Sequence, residues 1–164
     1  HDHIAHHKHI CQLYKELLAE IEGIMLHENP SQRYDSNYWL NTIVLDPALH
    51  VVGEEHAYEA VIQGTVGGAA GVTHTAKTLH TACEPNRNVE AMRMALDKVG
   101  IESRPLWKPM HLQPVYTGNP SYVNGVSEEL FKCGLCLPSG PCVTEEDVVY
   151  IVEEIKCCIQ EQSK

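Results

Sequence analysis

Helical and strand-like hydrophobic patterns alternate along this chain, and each stretch is too short to bury its apolar side alone. Ile10, Tyr14, Leu17 and Ile21 recur at spacings of 4, 3 and 4, which predicts one apolar stripe on a helix from Asp2 to about Glu22 that Gly23 stops. Tyr38–Leu45 is aromatic and β-branched and ends at Asp46-Pro47, so it reads as a buried strand. Val89, Met92, Leu96 and Val99 restore helical spacing, with Asn88 as N-cap, Lys98 in the last turn and Gly100 just beyond.

Ile101–Trp107 reads as a short strand, and Pro105, Pro109 and Pro114 then impose a stiff irregular loop. A helix over Val126–Cys133, ended by Gly134, leads into an apolar strand at Leu135–Leu137 that Pro138 stops. Thr144 and Asp147 form a variant capping box for a last helix with Val148, Ile151, Val152, Ile155 and Ile159 on its inner face. Residues 47–85 interrupt this order with glycines and a Thr/His-rich tract and read as an insertion. The remaining order predicts an α/β architecture, a small three-stranded sheet covered by helices.

Composition narrows the function. With 12 basic and 22 acidic residues the chain carries −10, and its four arginines are scattered, so nucleic acid is not an expected partner. No apolar run approaches the ~20 residues that cross a bilayer. Seven cysteines, an odd number, point to a reducing, cytoplasmic setting. The opening His1-Asp2-His3 lacks a Met and suggests a piece of a longer protein.

Several constellations invite chemistry. His1, His3, His6, His7 and His9 crowd the first helix, and His3 with His7 could share a metal ion at i, i+4, but no H-E-x-x-H pattern accompanies them and a solvated face accounts for the cluster. Cys133-Gly-Leu-Cys136 has C-x-x-C spacing. Its first thiol falls at a helix C-terminus, where the dipole does not stabilise a thiolate, so buried structural thiols are the expectation. The glycines at 64, 67, 68 and 71 lack the flanking residues of a phosphate loop, and no G-x-S-x-G elbow is present.

The segment from Arg104 to Tyr116 is the most chemically loaded. Arg104 and Lys108 could donate to phosphate, Trp107 could stack or pack, and His111 adds a further donor on a proline-framed loop. The same composition suits a loop that buries Trp107 and leaves its cations in water.

The runs Gly100–Tyr116 (GIESRPLWKPMHLQPVY), Ser127–Gly140 (SEELFKCGLCLPSG) and Thr144–Asp147, with Asn37–Leu40, closely resemble the C-terminal part of the DegT/DnrJ/StrS family of pyridoxal-phosphate-dependent aminotransferases of nucleotide-sugar metabolism. The resemblance covers nearly the whole chain. It implies the small domain of an aspartate-aminotransferase-type (fold type I) enzyme, with a sheet of three to four strands covered by helices. It implies a parent enzyme that moves an amino group from glutamate to a keto nucleotide-sugar for polysaccharide or glycan synthesis and works as a homodimer. The resemblance also implies that pyridoxal 5′-phosphate is held by the large domain, absent here, and none of the eight lysines lies in a segment like that of the family's cofactor lysine. The chain alone is then expected to be inactive. Arg104, Trp107, Lys108 and His111 match the family's stretch near the nucleotide-sugar, which makes them the expected substrate-binding residues. A free-standing module that binds a sugar nucleotide, a metal or a partner without catalysis is the alternative.

Overall fold

The N-terminal apolar stripe becomes the helix against which the sheet is laid. The computed structural model describes residues 2–53 and 83–159. In it α1 spans Asp2–Leu18 and buries Ile10, Tyr14 and Leu18. It ends short of Glu22 because the backbone tightens, with Ile21 N–H donating to the Leu18 carbonyl at 3.0 Å, and Gly23 turns the chain at φ +83°. A strand absent from the sequence expectation follows: β1, Ile24–Leu26. Three residues carry too little alternation to be recognised locally; pairing with a neighbour makes them a strand.

β2 spans Asn41–Leu45, shorter than the expected Tyr38–Leu45. Its burial alternates, with Asn41, Ile43 and Leu45 inside and Thr42 and Val44 half-buried, so it is not buried on both faces. Tyr38 lies in the left-handed region at φ +51° and cannot continue a strand. α2 spans Arg87–Lys98. Its N-cap is Asn86, whose Oδ1 accepts from Val89 N–H at 2.9 Å; the expected cap, Asn88, is instead buried inside the first turn. Val99 is the C-cap and exposed, so the buried stripe ends at Leu96 before Gly100 at φ +80°.

β3 is only Arg104–Pro105, less than the expected Ile101–Trp107: a last bond runs from Leu106 N–H to Gly134 O at 3.4 Å, and β4 offers no partner before Gly134, where α3 ends. α3 (Val126–Cys133) lies as expected and runs without a loop into β4, Gly134–Leu137. α4 spans Glu145–Cys158 and carries the anticipated capping box, Thr144 accepting from Asp147 N–H while the Asp147 carboxylate accepts from Thr144 N–H.

The sheet has four strands in the order β1-β2-β4-β3, every neighbouring pair antiparallel. β4 is central, placing Asn41 opposite Leu137 and Val44 opposite Gly134 on one side and Arg104 opposite Cys136 on the other. α1, α2 and α4 contribute Tyr14, Met92, Leu96, Val148 and Ile155 to one core with Ile43 and Leu135. Each such side chain stabilises the fold by about 1.5–3 kcal/mol through apolar burial. The Tyr14 hydroxyl donates to the Pro138 carbonyl at 3.0 Å, and burial raises its pKa well above the ordinary phenol range. Of the segment at 47–85, Val51 bridges Ile159 and Val52 N–H donates to Cys158 O at 2.8 Å; residues 54–82 lie outside the described residues.

Gly134 marks the tightest join. Its φ of −93° is open to any residue, but a Cβ would fall on the Leu106 side chain and 2.5 Å from the Leu130 carbonyl oxygen. Gly134→Ala is therefore expected to destabilise the domain by about 2–3 kcal/mol in urea unfolding, whereas Gly140→Ala, with nothing near its Cβ position, leaves stability within about 1 kcal/mol.

Candidate functional site

The open edge of the sheet carries the loop that the sequence singles out. Past Pro105 the chain makes two single 3₁₀ turns, Met110–Leu112 and Pro114–Tyr116, closed by bonds such as Leu112 N–H to Pro109 O at 2.9 Å. The Gln113 side chain donates to the Lys108 carbonyl at 2.9 Å and stiffens the first bend.

Arg104 and Trp107 come together, and Lys108 and His111 do not join them. A groove of about 510 Å³ is lined by Trp39, Glu102, Ser103, Arg104, Trp107, Cys136 and the Pro138–Gly140 turn, among others. The Arg104 guanidinium is held by Glu102 through both Nε and a terminal nitrogen, largely in water. Trp107 is 67% exposed, so it is not a packing residue. Lys108 lies outside the groove lining.

His111 faces away, toward α3. Its Nε2 lies 2.8 Å from Glu128 Oε1, with both side chains less than one-fifth exposed. The Glu128 carboxyl is held below the ordinary glutamate range by its own backbone N–H, with Ser127 and His111 adding to the effect. The pair ties the first 3₁₀ turn to the start of α3. Breaking either side, by His111→Ala or Glu128→Ala, is expected to speed amide hydrogen exchange across 110–116, and the double variant should exchange no faster than the faster single one.

Sequence reasoning missed Trp39 by assigning it to a buried strand. It is 64% exposed at the groove. The signal was Ser36-Asn37 immediately before the aromatic pair: Ser36 Oγ accepts from Tyr38 N–H at 3.0 Å and Asn37 Oδ1 from Trp39 N–H at 3.2 Å, side-chain turns of the kind these residues favour. The left-handed Tyr38 within this turn stores about 1 kcal/mol or more of backbone strain.

The C-x-x-C thiols behave as expected from their positions. Cys133 closes α3, Cys136 lies in β4, both are buried, and burial raises both thiol pKa values, the reverse of what a redox nucleophile requires. In native protein near neutral pH, thiol reagents are expected to label Cys142 and Cys157, the two exposed cysteines, well before the other five, which should react once the fold opens. In the histidine helix, His9 pairs with Glu145 at 2.6 Å; among the described residues no three His, Cys, Asp or Glu side chains gather as a metal site.

A pyridoxal phosphate site needs a neutral, cleft-facing lysine amine. Four of the described lysines do not fit: Lys8, Lys15, Lys132 and Lys156 are partly exposed and paired with Asp35, Glu28, Glu129 and Glu153. The carboxylate bonds of the last three raise their pKa values and hold them protonated. Lys98 is exposed at the end of α2, and Lys77 and Lys164 lie outside the described residues. Among those residues no helix is long and apolar enough to cross a membrane.

Comparison with known proteins places the chain. The model of the DegT/DnrJ/EryC1/StrS aminotransferase family matches residues 55–156, more than half of it. EpsN of Bacillus subtilis, whose name describes a pyridoxal phosphate-dependent aminotransferase, is 39% identical over 92 residues, 52% of this chain and 23% of that protein. GDP-perosamine synthase of Escherichia coli O157:H7 is 36% identical over 66 residues, 40% of this chain and 18% of that protein. Among solved structures, DesI with its TDP-sugar product superposes at TM-score 0.62 with 16% identity, covering 96% of this chain and 31% of that one. A DegT/DnrJ/EryC1/StrS aminotransferase from Brucella abortus superposes at 0.61 with 21% identity, covering 95% and 31%. At these identities the superpositions speak to fold alone. The chain spans less than a quarter of each of these curated relatives and about a third of each of these solved chains.

Proposed function

The chain belongs to the DegT/DnrJ/EryC1/StrS aminotransferase family, and on that premise we propose that it is the C-terminal small domain of an enzyme that transfers an amino group from glutamate to a keto nucleotide-sugar. The products would feed polysaccharide or glycan synthesis, and the whole enzyme would act as a cytoplasmic homodimer. Residues 47–85 would be an insertion into the domain. One observation supports the reading: near-complete overlap of this chain with about a third of each solved relative. Pyridoxal 5′-phosphate, which supplies the electron sink for amino transfer, would be held by a large domain. The chain by itself would be inactive.

The domain's own contribution is substrate binding. The carrying observation is that Arg104 and Trp107, from the segment that resembles the family's substrate stretch, line one groove with both side chains exposed. Arg104 can present a guanidinium to a diphosphate by exchanging its exposed Glu102 contact for a ligand oxygen. Lys108 adds positive charge beyond the groove, and His111 supports the binding loop through Glu128.

In the full-length enzyme, Arg104→Ala is expected to raise KM for the nucleotide-sugar about tenfold with kcat nearly kept, the pattern of a lost binding contact. His111→Ala should raise it less, through loosening of the loop. Unchanged affinity in both variants would remove this substrate site. For the chain alone, borohydride reduction with pyridoxal phosphate should leave no lysine modified stoichiometrically; one fully modified lysine overturns the inactive-domain reading.

A further inference from the structure

We propose that Trp39 is a second aromatic wall of the groove, and that the groove takes the flat ring of a nucleobase, with stacking adding to the Arg104 contact with the diphosphate. This deepens the nucleotide-sugar reading and rests on it.

The two indoles line the same groove and both stay mostly in water, 64% exposed for Trp39 and 67% for Trp107. An indole is a large apolar surface, and holding two of them out of the core forgoes burial that the fold could otherwise use. Trp39 is not simply frayed. The turn that presents it is held by Ser36 and Asn37, its Tyr38 is the one non-glycine residue with positive φ among the described residues, and the Tyr38 hydroxyl accepts from the Asn29 amide at 2.9 Å. A strained backbone fastened at several points fits a side chain that has to stand where it is.

Charge argues for a ring over a bare phosphate. Arg104 and Glu102 both line the groove and bind one another, so their formal charges cancel there, and an inorganic polyanion meets a carboxylate beside the only guanidinium lining it. Aromatic walls of this kind bind any nucleobase through its π-face. Ser103, 6% exposed on the same wall, keeps a hydroxyl without a hydrogen-bond partner, an unused donor and acceptor beside the ring site. A groove of about 510 Å³ falls within the range of small-molecule sites.

Trp39 and Trp107 are the only two tryptophans of the chain, so its intrinsic fluorescence reports this groove directly. Titration with UDP, dTDP or GDP is expected to quench the emission, while inorganic pyrophosphate does not quench and competes at least about tenfold more weakly. Each of Trp39→Leu and Trp107→Leu should keep quenching of the remaining indole but raise Kd about tenfold or more, the loss of one stacking wall. Trp39→Phe should retain most of the affinity. Because Arg104 is the single cation of the lining and Glu102 offsets it, Kd should change by no more than about tenfold between low and high salt. Both indoles are exposed, so the substitutions leave the core untouched. Absence of quenching by every nucleotide, an unchanged Kd in Trp39→Leu, or equal competition by pyrophosphate would overturn the proposal. The two readings fail separately: in the full-length enzyme, a KM for nucleotide-sugar raised by Arg104→Ala but not by Trp39→Leu removes the ring site and keeps the substrate reading. Nucleotide quenching in this chain with no aminotransferase activity in the full-length protein does the reverse.

Discussion

The pairing of β2 with β4 carries the domain, because both walls of the groove hang from it. β4 is buried along its whole length, with Leu135 and Leu137 in the helix-covered core and Cys136 at the groove. β2 enters this pairing only after the Tyr38–Trp39 turn, so the register that sets Asn41 opposite Leu137 also fixes where Trp39 emerges. On the other edge β4 holds Arg104 opposite Cys136, which sets where the loop bearing Trp107 begins. A slip of one residue would exchange inward and outward side chains and separate the two walls.

Gly134 lets that pairing coexist with α3. The helix runs into the strand with no intervening loop, and Leu106 occupies the space that a side chain at 134 would need. The same junction buries Cys133 and raises its thiol pKa, so the C-x-x-C spacing follows from a helix feeding a strand and not from redox chemistry. His111 belongs to this support as well: its bond to Glu128 fastens the loop after β3 to α3, while Arg104 and Trp107 stay accessible.

Legibility in the sequence followed the range of the interaction. Helices announced by capping and periodic burial were readable: α3 spans its expected residues, and the Thr144–Asp147 box opens α4. Elements that depend on a partner strand were not. β1 exists because Ile24–Leu26 pairs with Ile43–Leu45, and β3 is held to two residues because β4 itself spans only Gly134–Leu137. Asn88 looked like a cap because it precedes an apolar stripe, yet Asn86 holds that place once its N–H bonds Lys132 O across the fold. In the candidate site, residue type on a proline-framed loop singled out Arg104 and Trp107, which the structure places in one groove. The division of labour between them and His111 was not legible.

From its sequence alone the chain is a member of an aminotransferase family, an acidic α/β domain with its proposed binding residues near Arg104 and its two C-x-x-C thiols placed to be buried. Local chemistry suffices for those statements, since periodicity, capping, proline and motif act over a few residues. Tertiary structure decided which way those residues face. Trp39 stands in the groove and not in a strand, His111 turns to Glu128, and Lys8 and Lys15 pair with Asp35 and Glu28; each outcome depends on atoms brought together from segments whose separation along the chain carries no local signal.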